Sequence, residues 1–173
     1  MECNSIVLAG IARDCNANMG GIQKVWMILK SDVNSVTVTD NKISALSIAS
    51  GSANAFNFRK GAASMTSNLQ KDDTAGSYYW ETDLAMNFQR METAKRTAIM
   101  ALTLAEAAAI VKDNNGIYWF LGKDEYLSAT AGTGETGTAK TDANQYTVTL
   151  QDSSLELPYE IAESVIEGLN LPE

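Results

Sequence analysis

The chain has 173 residues, 45% of them apolar, with 13 basic and 21 acidic side chains and a net charge of -8. This composition excludes a disordered chain and allows one domain with a real hydrophobic core. The negative charge argues against tight nucleic-acid binding through phosphate contacts. The absence of histidine removes the commonest general base, nucleophile partner and metal ligand, leaving carboxylate-only chemistry open.

Residues 1–20 read as an irregular N-terminal arm. Its start, MECNSIVLAGIARDCN, has no basic opening and carries Arg13 and Asp14 just after its apolar part. A signal peptide is therefore not expected, and folding in the cytosol is. Cys3 and Cys15 make a poor zinc site without histidine. A reducing cytosol disfavours their pairing, so both are expected as buried or partly buried thiols. A β-rich run follows from Ile22 to Leu29. In SVTVTDNKISALSIAS, Val36 and Val38 alternate with Thr37 and Thr39, which predicts two strands about an Asp40-Asn41-Lys42 turn. A short strand places Phe56 and Phe58 on one face.

The clearest pattern spans residues 62–90. In AASMTSNLQ, Ala63, Met65, Ser67 and Leu69 share one face, with Ser64, Thr66, Asn68 and Gln70 on the other. In SYYWETDLAMNFQ, Tyr78, Trp80, Thr82, Leu84, Met86 and Phe88 lie opposite Tyr79, Glu81, Asp83, Ala85, Asn87 and Gln89. Period-two alternation over about a dozen residues is long for a strand. The polar link KDDTAG ends in Gly. The prediction is a long antiparallel hairpin with one apolar face, one small, polar and acidic face, and open edges.

The period then changes. METAKRTAIMALTLAEAA is rich in helix formers, which predicts one helix over about 92–103, with Ala94, Ala98, Leu102 and Ala105 on one stripe and Glu92 in the first turn. The apolar stretch from Ala98 to Val111 is broken by Thr103 and Glu106 and is too short to cross a bilayer. Asn115-Gly116 predicts a hairpin turn with both residues at positive φ. Ile117–Leu121, apolar on both faces, predicts a strand covered on both sides. Residues 130–144 read as a flexible glycine-rich loop, and QYTVTLQ as a strand. Ile161, Val165 and Leu169 at spacing four predict a short C-terminal helix ended by Gly168. The sum is a mainly β single domain of roughly eight strands, a sandwich or barrel with one packed helix and a short C-terminal one.

Within the glycine-rich loop, GETGTAKT differs from a phosphate-binding loop by Ala139 in place of glycine. Such a loop needs a helix to begin at the lysine. Lys140 is followed by an alternating strand, and βαβ units are missing. The stretch therefore reads as a mimic. Glu81 and Asp83, two apart on one face, could serve a glycosidase or hold Ca²⁺, but read first as a solvated acidic face. Asp72-Asp73 and Asp113-Asn114-Asn115 read as turn chemistry. Trp26, Trp80 and Trp119 could stack sugars and read first as core. Arg90, Lys95 and Arg96 cluster at the helix start and are expected to meet acids of this chain or of a neighbouring subunit. No catalytic set, cofactor site or metal site emerges.

The segments MGGIQKVWM, FNFRKGAASMTSNL, NFQRMETAKRTAIMAL, VKDNNGIYWFLGKDE and LQDSSLELPYEI, covering most of the chain from about Leu8 to Ile161, resemble the major tail proteins of long-tailed phages and prophages of gut Bacteroidales. That family shares its fold with the tube proteins of type VI secretion and contractile injection machines. The resemblance implies a non-enzymatic virion protein, assembled in the host cytoplasm into stacked rings of typically about six subunits. It implies that Ser64, Thr66, Asn68, Gln70, Glu81, Asp83 and Asn87 line a lumen through which genome DNA passes without sequence-specific binding. The implied partners are further copies of the chain and the tape-measure, tail-tip and tail-terminator proteins, with no membrane. The residues themselves leave two other classes open. One is a β-sandwich binding module, such as a carbohydrate-binding or decoration protein. The other is a carboxylate glycosidase.

Overall fold

The computed structural model describes residues 9–173, in which eleven strands and two α-helices form two sheets. The strands are β1 (Ile22–Leu29), β2 (Val33–Thr39), β3 (Lys42–Ile48), β4 (Asn54–Phe56), β5 (Ala63–Asp72), β6 (Ser77–Gln89), β7 (Ala107–Asp113), β8 (Tyr118–Leu121), β9 (Ser128–Glu135), β10 (Gln145–Ser154) and β11 (Tyr159–Ile161). The helices are α1 (Thr93–Leu104) and α2 (Glu163–Gly168). The mainly β sandwich with one longer and one short C-terminal helix agrees with the sequence; eight strands was an undercount.

The seven-stranded sheet has the order β2-β3-β11-β8-β7-β1-β4, and only the β3–β11 pair is parallel. The four-stranded sheet, β5-β6-β10-β9, is antiparallel throughout. Between the sheets lies the larger core, where Val25, Met27, Ala109, Val111 and Leu121 meet Leu84, Met86, Val148 and Leu150. A second core covers the opposite face of the seven-stranded sheet. There Trp26, Ile28, Ile110 and Phe120 pack under Val165, Ile166 and Leu169 of the C-terminal segment. The indole N–H of Trp26 donates to the Pro172 carbonyl at 2.7 Å, which fastens the tail over this core. β8 is thus covered on both sides, as its apolar sequence requires.

Local chemistry accounts for the corners. Asp40 and Asn41 take φ of 51° and 60°, a two-residue hairpin turn with Lys42 already in β3. At the tip of the long hairpin, Asp72 Oδ1 accepts the N–H groups of Thr74 and Ala75 at 2.8 and 3.1 Å. In the β7–β8 turn Gly116 alone has positive φ. Asp113 Oδ1 instead accepts from the N–H groups of Asn115 and Ile117, fixing a wider loop than the one predicted. Gly168 lies inside α2, and the left-handed residue beyond the helix is Asn170 at φ 46°. Ile161 belongs to β11 rather than to the helix.

Three further expectations change. Cys15 is exposed, because the arm carrying it has no covering layer; Cys3 lies outside the described residues. Glu92 sits at the extended N-cap and not in the first turn, where its carboxylate meets Lys95 Nζ at 2.8 Å. That contact holds the Glu92 carboxyl below its usual range. Residues 130–144 are not all loop, since 128–135 form β9 and only 136–144 connect it to β10.

Candidate functional site

The long hairpin forms with the predicted register: Ser64 faces Ala85, Thr66 faces Asp83, Asn68 faces Glu81 and Gln70 faces Tyr79. All seven residues singled out from sequence, Ser64, Thr66, Asn68, Gln70, Glu81, Asp83 and Asn87, lie on strand positions of one face. The four on β5 are exposed; the three on β6 are half-buried among neighbours. The opposite positions, Ala63, Thr82, Leu84, Met86 and Phe88, are buried against the core.

Two strands that the hairpin pattern does not announce widen this face. On β10, Thr147, Thr149 and Gln151 lie opposite Asn87, Ala85 and Asp83. On β9, Glu135, Thr133 and Ala131 lie opposite Gln145, Thr147 and Thr149. The period-two signal of QYTVTLQ marks the β10 residues. β9, SATAGTGE, lacks such a signal because glycine replaces apolar residues. Gly134 has a physical reason: a Cβ there would approach the Tyr146 ring to 3.0 Å. The aromatic ring covers the bare backbone of an edge strand.

Short polar pairs knit the face together. Gln70 Nε2 donates to Glu81 Oε2 at 2.8 Å, Gln151 Nε2 to Asp83 Oδ1 at 2.9 Å and Gln145 Nε2 to Glu135 Oε1 at 2.6 Å. The hydroxyls of Thr133 and Thr147 are 2.6 Å apart. Each acid is thus bonded to a neutral amide and keeps its negative charge uncompensated. No Lys or Arg occupies a position of this face along the paired registers. Asn87 Oδ1 is buried without a partner. Glu81 and Asp83 do not converge on a third ligand: among the described residues no group of three acidic or thiol side chains could hold a metal ion.

The hairpin outruns the layer beneath it. Towards its tip the nominally apolar face is uncovered: Leu69 is 47% exposed and Tyr78 is exposed, while Trp80 is only half-buried. The sheet's edges are also open, since β5 and β9 each pair on one side only among the described residues. The sequence left both hairpin edges free, but β10 takes the β6 edge.

The loop that imitates a phosphate site is occupied by the chain itself. The N–H groups of Thr138 and Ala139 donate to Asp142 Oδ2 at 2.8 and 2.6 Å. These bonds, Ala139 first, pull the Asp142 carboxyl below its usual range. Strand β10, not a helix, follows Lys140. The basic cluster at the helix start serves the corner: Lys95 Nζ also donates to the Gln89 carbonyl at 2.8 Å, and Asn144 receives the backbone N–H groups of Arg90 and Met91.

At the other end of the sandwich the core face of β10 carries an acid. Asp152 is buried; its Oδ2 accepts from Gly122 N–H at 2.7 Å, and Oδ1 has no partner. Burial foremost pushes its carboxyl up. Lys30 Nζ lies nearby and donates to the carbonyls of Gly122 and Lys123 at 2.5 and 2.6 Å. Gly122 has φ 83°, and its Cα is so close to the Ala107 carbonyl that a Cβ would sit at 3.0 Å. Nothing in the sequence pattern marks Asp152, because Asp occupies what reads as the fraying end of a strand.

Comparison of the chain with family models, curated proteins and solved structures returned no match.

Proposed function

We propose that the chain is a self-assembling structural subunit that forms a hollow tube, the tail tube of a long-tailed phage. In this reading copies join edge to edge through the four-stranded sheet, and the polar face becomes the lumen. The observation that carries it is the combination in one sheet of two edges, β5 and β9, that are free among the described residues, with a face of small polar and acidic side chains that has no Lys or Arg along the paired registers. Free edges are aggregation hazards unless paired, and pairing β5 of one copy with β9 of the next closes a ring.

The dimensions suit a conduit. About six copies supply about 24 strands. At about 4.8 Å per strand and a tilt near 40°, that barrel has a backbone diameter of about 48 Å. This leaves room for a nucleic-acid duplex after the short side chains are counted. Acids on the wall repel phosphates, and the lack of cations leaves no place for DNA to stick. The exposed apolar tip of the hairpin, Leu69 and Tyr78, adds contact surface for a neighbour.

A second reading is a sandwich binding module, favoured by the exposed Tyr78 and Tyr79 at the hairpin tip. It predicts stabilisation by ligand and no self-association through β5 and β9. Negative-stain electron microscopy over a concentration series separates the two. The tube reading predicts rings or hollow tubes; isolated particles at every concentration, together with saturable glycan binding, would replace it with the module.

A further inference from the structure

The β7–β8 turn holds the root of the N-terminal arm. Asn114 Nδ2 donates to the Gly20 carbonyl at 2.7 Å, Asn115 Oδ1 accepts the Met19 N–H at 2.8 Å, and Asn115 Nδ2 donates to Asn18 Oδ1 at 3.0 Å. Two of these three bonds belong to Asn115. Every residue from Ala9 to Gly20 is exposed, so the clamp is made of polar contacts and not of burial.

Asn115 is also the only Asn followed by Gly in the sequence. That pair is chemically self-reactive. The main-chain nitrogen after an Asn can attack the side-chain amide carbon and close a five-membered ring, an approach that a following side chain hinders. Gly116 presents no side chain, both residues are exposed, and no atom lies within 4 Å of where a Cβ on Gly116 would stand. The freedom of glycine lets the peptide rotate towards attack. Within the turn the Gly116 N–H is held by the Asp113 carbonyl at 3.2 Å, the longest of the hydrogen bonds among residues 113–117. The clamp also activates the electrophile. The Met19 N–H polarises the Asn115 Cγ carbonyl and stands at the oxygen that turns anionic when Cγ becomes tetrahedral.

We propose that Asn115 is a site of spontaneous deamidation, activated by the Met19 N–H, and that its conversion releases the root of the arm. Solvent base removes the Gly116 amide proton, and the nitrogen bonds to Asn115 Cγ. The Cγ–Nδ2 bond breaks, and Nδ2 takes a proton from water and leaves as ammonia. Water then opens the ring. Opening at the main-chain carbonyl leaves isoaspartate, and opening at Cγ leaves aspartate; nothing is oxidised or reduced. Either product puts oxygen in place of the Nδ2 donor, so the bond to Asn18 Oδ1 is lost. Isoaspartate also draws Cγ into the main chain and takes Oδ1 away from Met19. A negative charge appears beside Asp113. These steps need only the chain's own turn, its arm and water, whatever the subunit assembles into.

Incubation of the full chain in mildly alkaline buffer, followed by peptide mass spectrometry over time, tests the site. Asn115 is expected to convert roughly tenfold or more faster than any other Asn. Met19→Pro removes the activating N–H from an exposed, irregular stretch and disturbs no packed residue. It should slow the conversion roughly fivefold or more. In the isoaspartyl fraction, separated by ion exchange, the Met19 amide should exchange hydrogen roughly tenfold faster than in the intact protein. Another Asn converting as fast as Asn115 would overturn the proposal. So would an unchanged or faster rate in Met19→Pro, or an isoaspartyl fraction whose Met19 amide exchanges as before.

Discussion

The two sheets of this protein solve opposite problems. The seven-stranded sheet is covered on both faces within one chain, by the second sheet on one side and by α2 with the fastened tail on the other, although its edge strands β2 and β4 also pair on one side only among the described residues. The four-stranded sheet is finished on one face only. Its outer face is polar through the alternation, its two edges lack partners among the described residues, and its hairpin runs past the layer that supports it. An antiparallel sheet can keep one face in water, but free strand edges are open to pairing, and in the function proposed above another copy supplies that pairing.

Breaking the covered side of the four-stranded sheet should have the largest effect. Leu84 is fully buried on the core face of β6. Leu84→Asp would bury an unpaired charge and cost more than about 4 kcal/mol, seen as loss of the cooperative unfolding transition. On the open face the effect should be on binding instead. Asn68→Lys with Gln70→Lys is expected to leave the subunit folded but give assembled tubes a salt-dependent affinity for labelled duplex DNA that the wild type lacks. Equal binding by both proteins would remove this face from the lumen.

A smaller effect sharpens the boundary between the sheets. Asp152 has a carboxyl raised in the folded state by burial. A raised acid favours the protonated fold, so its contribution is fully present below the unfolded value near 3.8 and is lost as pH rises through the folded value. Asp152→Asn keeps an acceptor for the Gly122 N–H. The variant should be more stable than wild type at pH 7, with the difference closing as pH falls towards 3.8 in denaturant titrations. The smallest effect belongs to Asp83→Asn. Its amide oxygen still accepts from Gln151 on an open face, so thermal unfolding should shift by less than about 0.5 kcal/mol.

Much of this was legible in the sequence where one period held without competition. The alternation from Ala63 to Phe88 sets the hairpin, its faces and all seven polar positions, because one buried face fixes register. The helix was legible from composition, but its burial was not. Ala94, Ala98 and Leu102 form a stripe on paper, yet only Leu102 finds a core, since no element stands over the alanines. β9 escaped because Gly132 and Gly134 supply no apolar pattern, and its pairing is decided by Tyr146 and the rest of β10, the next strand in the chain. Asp152 escaped because its burial depends on Gly122 and Lys30, contacts about thirty residues away or more.

The central claim is that β5 and β9 are interfaces. Hydrogen exchange of the wild type, followed from dilute to concentrated solution beside sedimentation, tests it most directly. The account predicts that amides of β5 and β9 become protected as association proceeds, while those of β2, the far edge of the other sheet, do not change. Association with β5 and β9 exchanging at their dilute rates, or protection confined to β2, would contradict it.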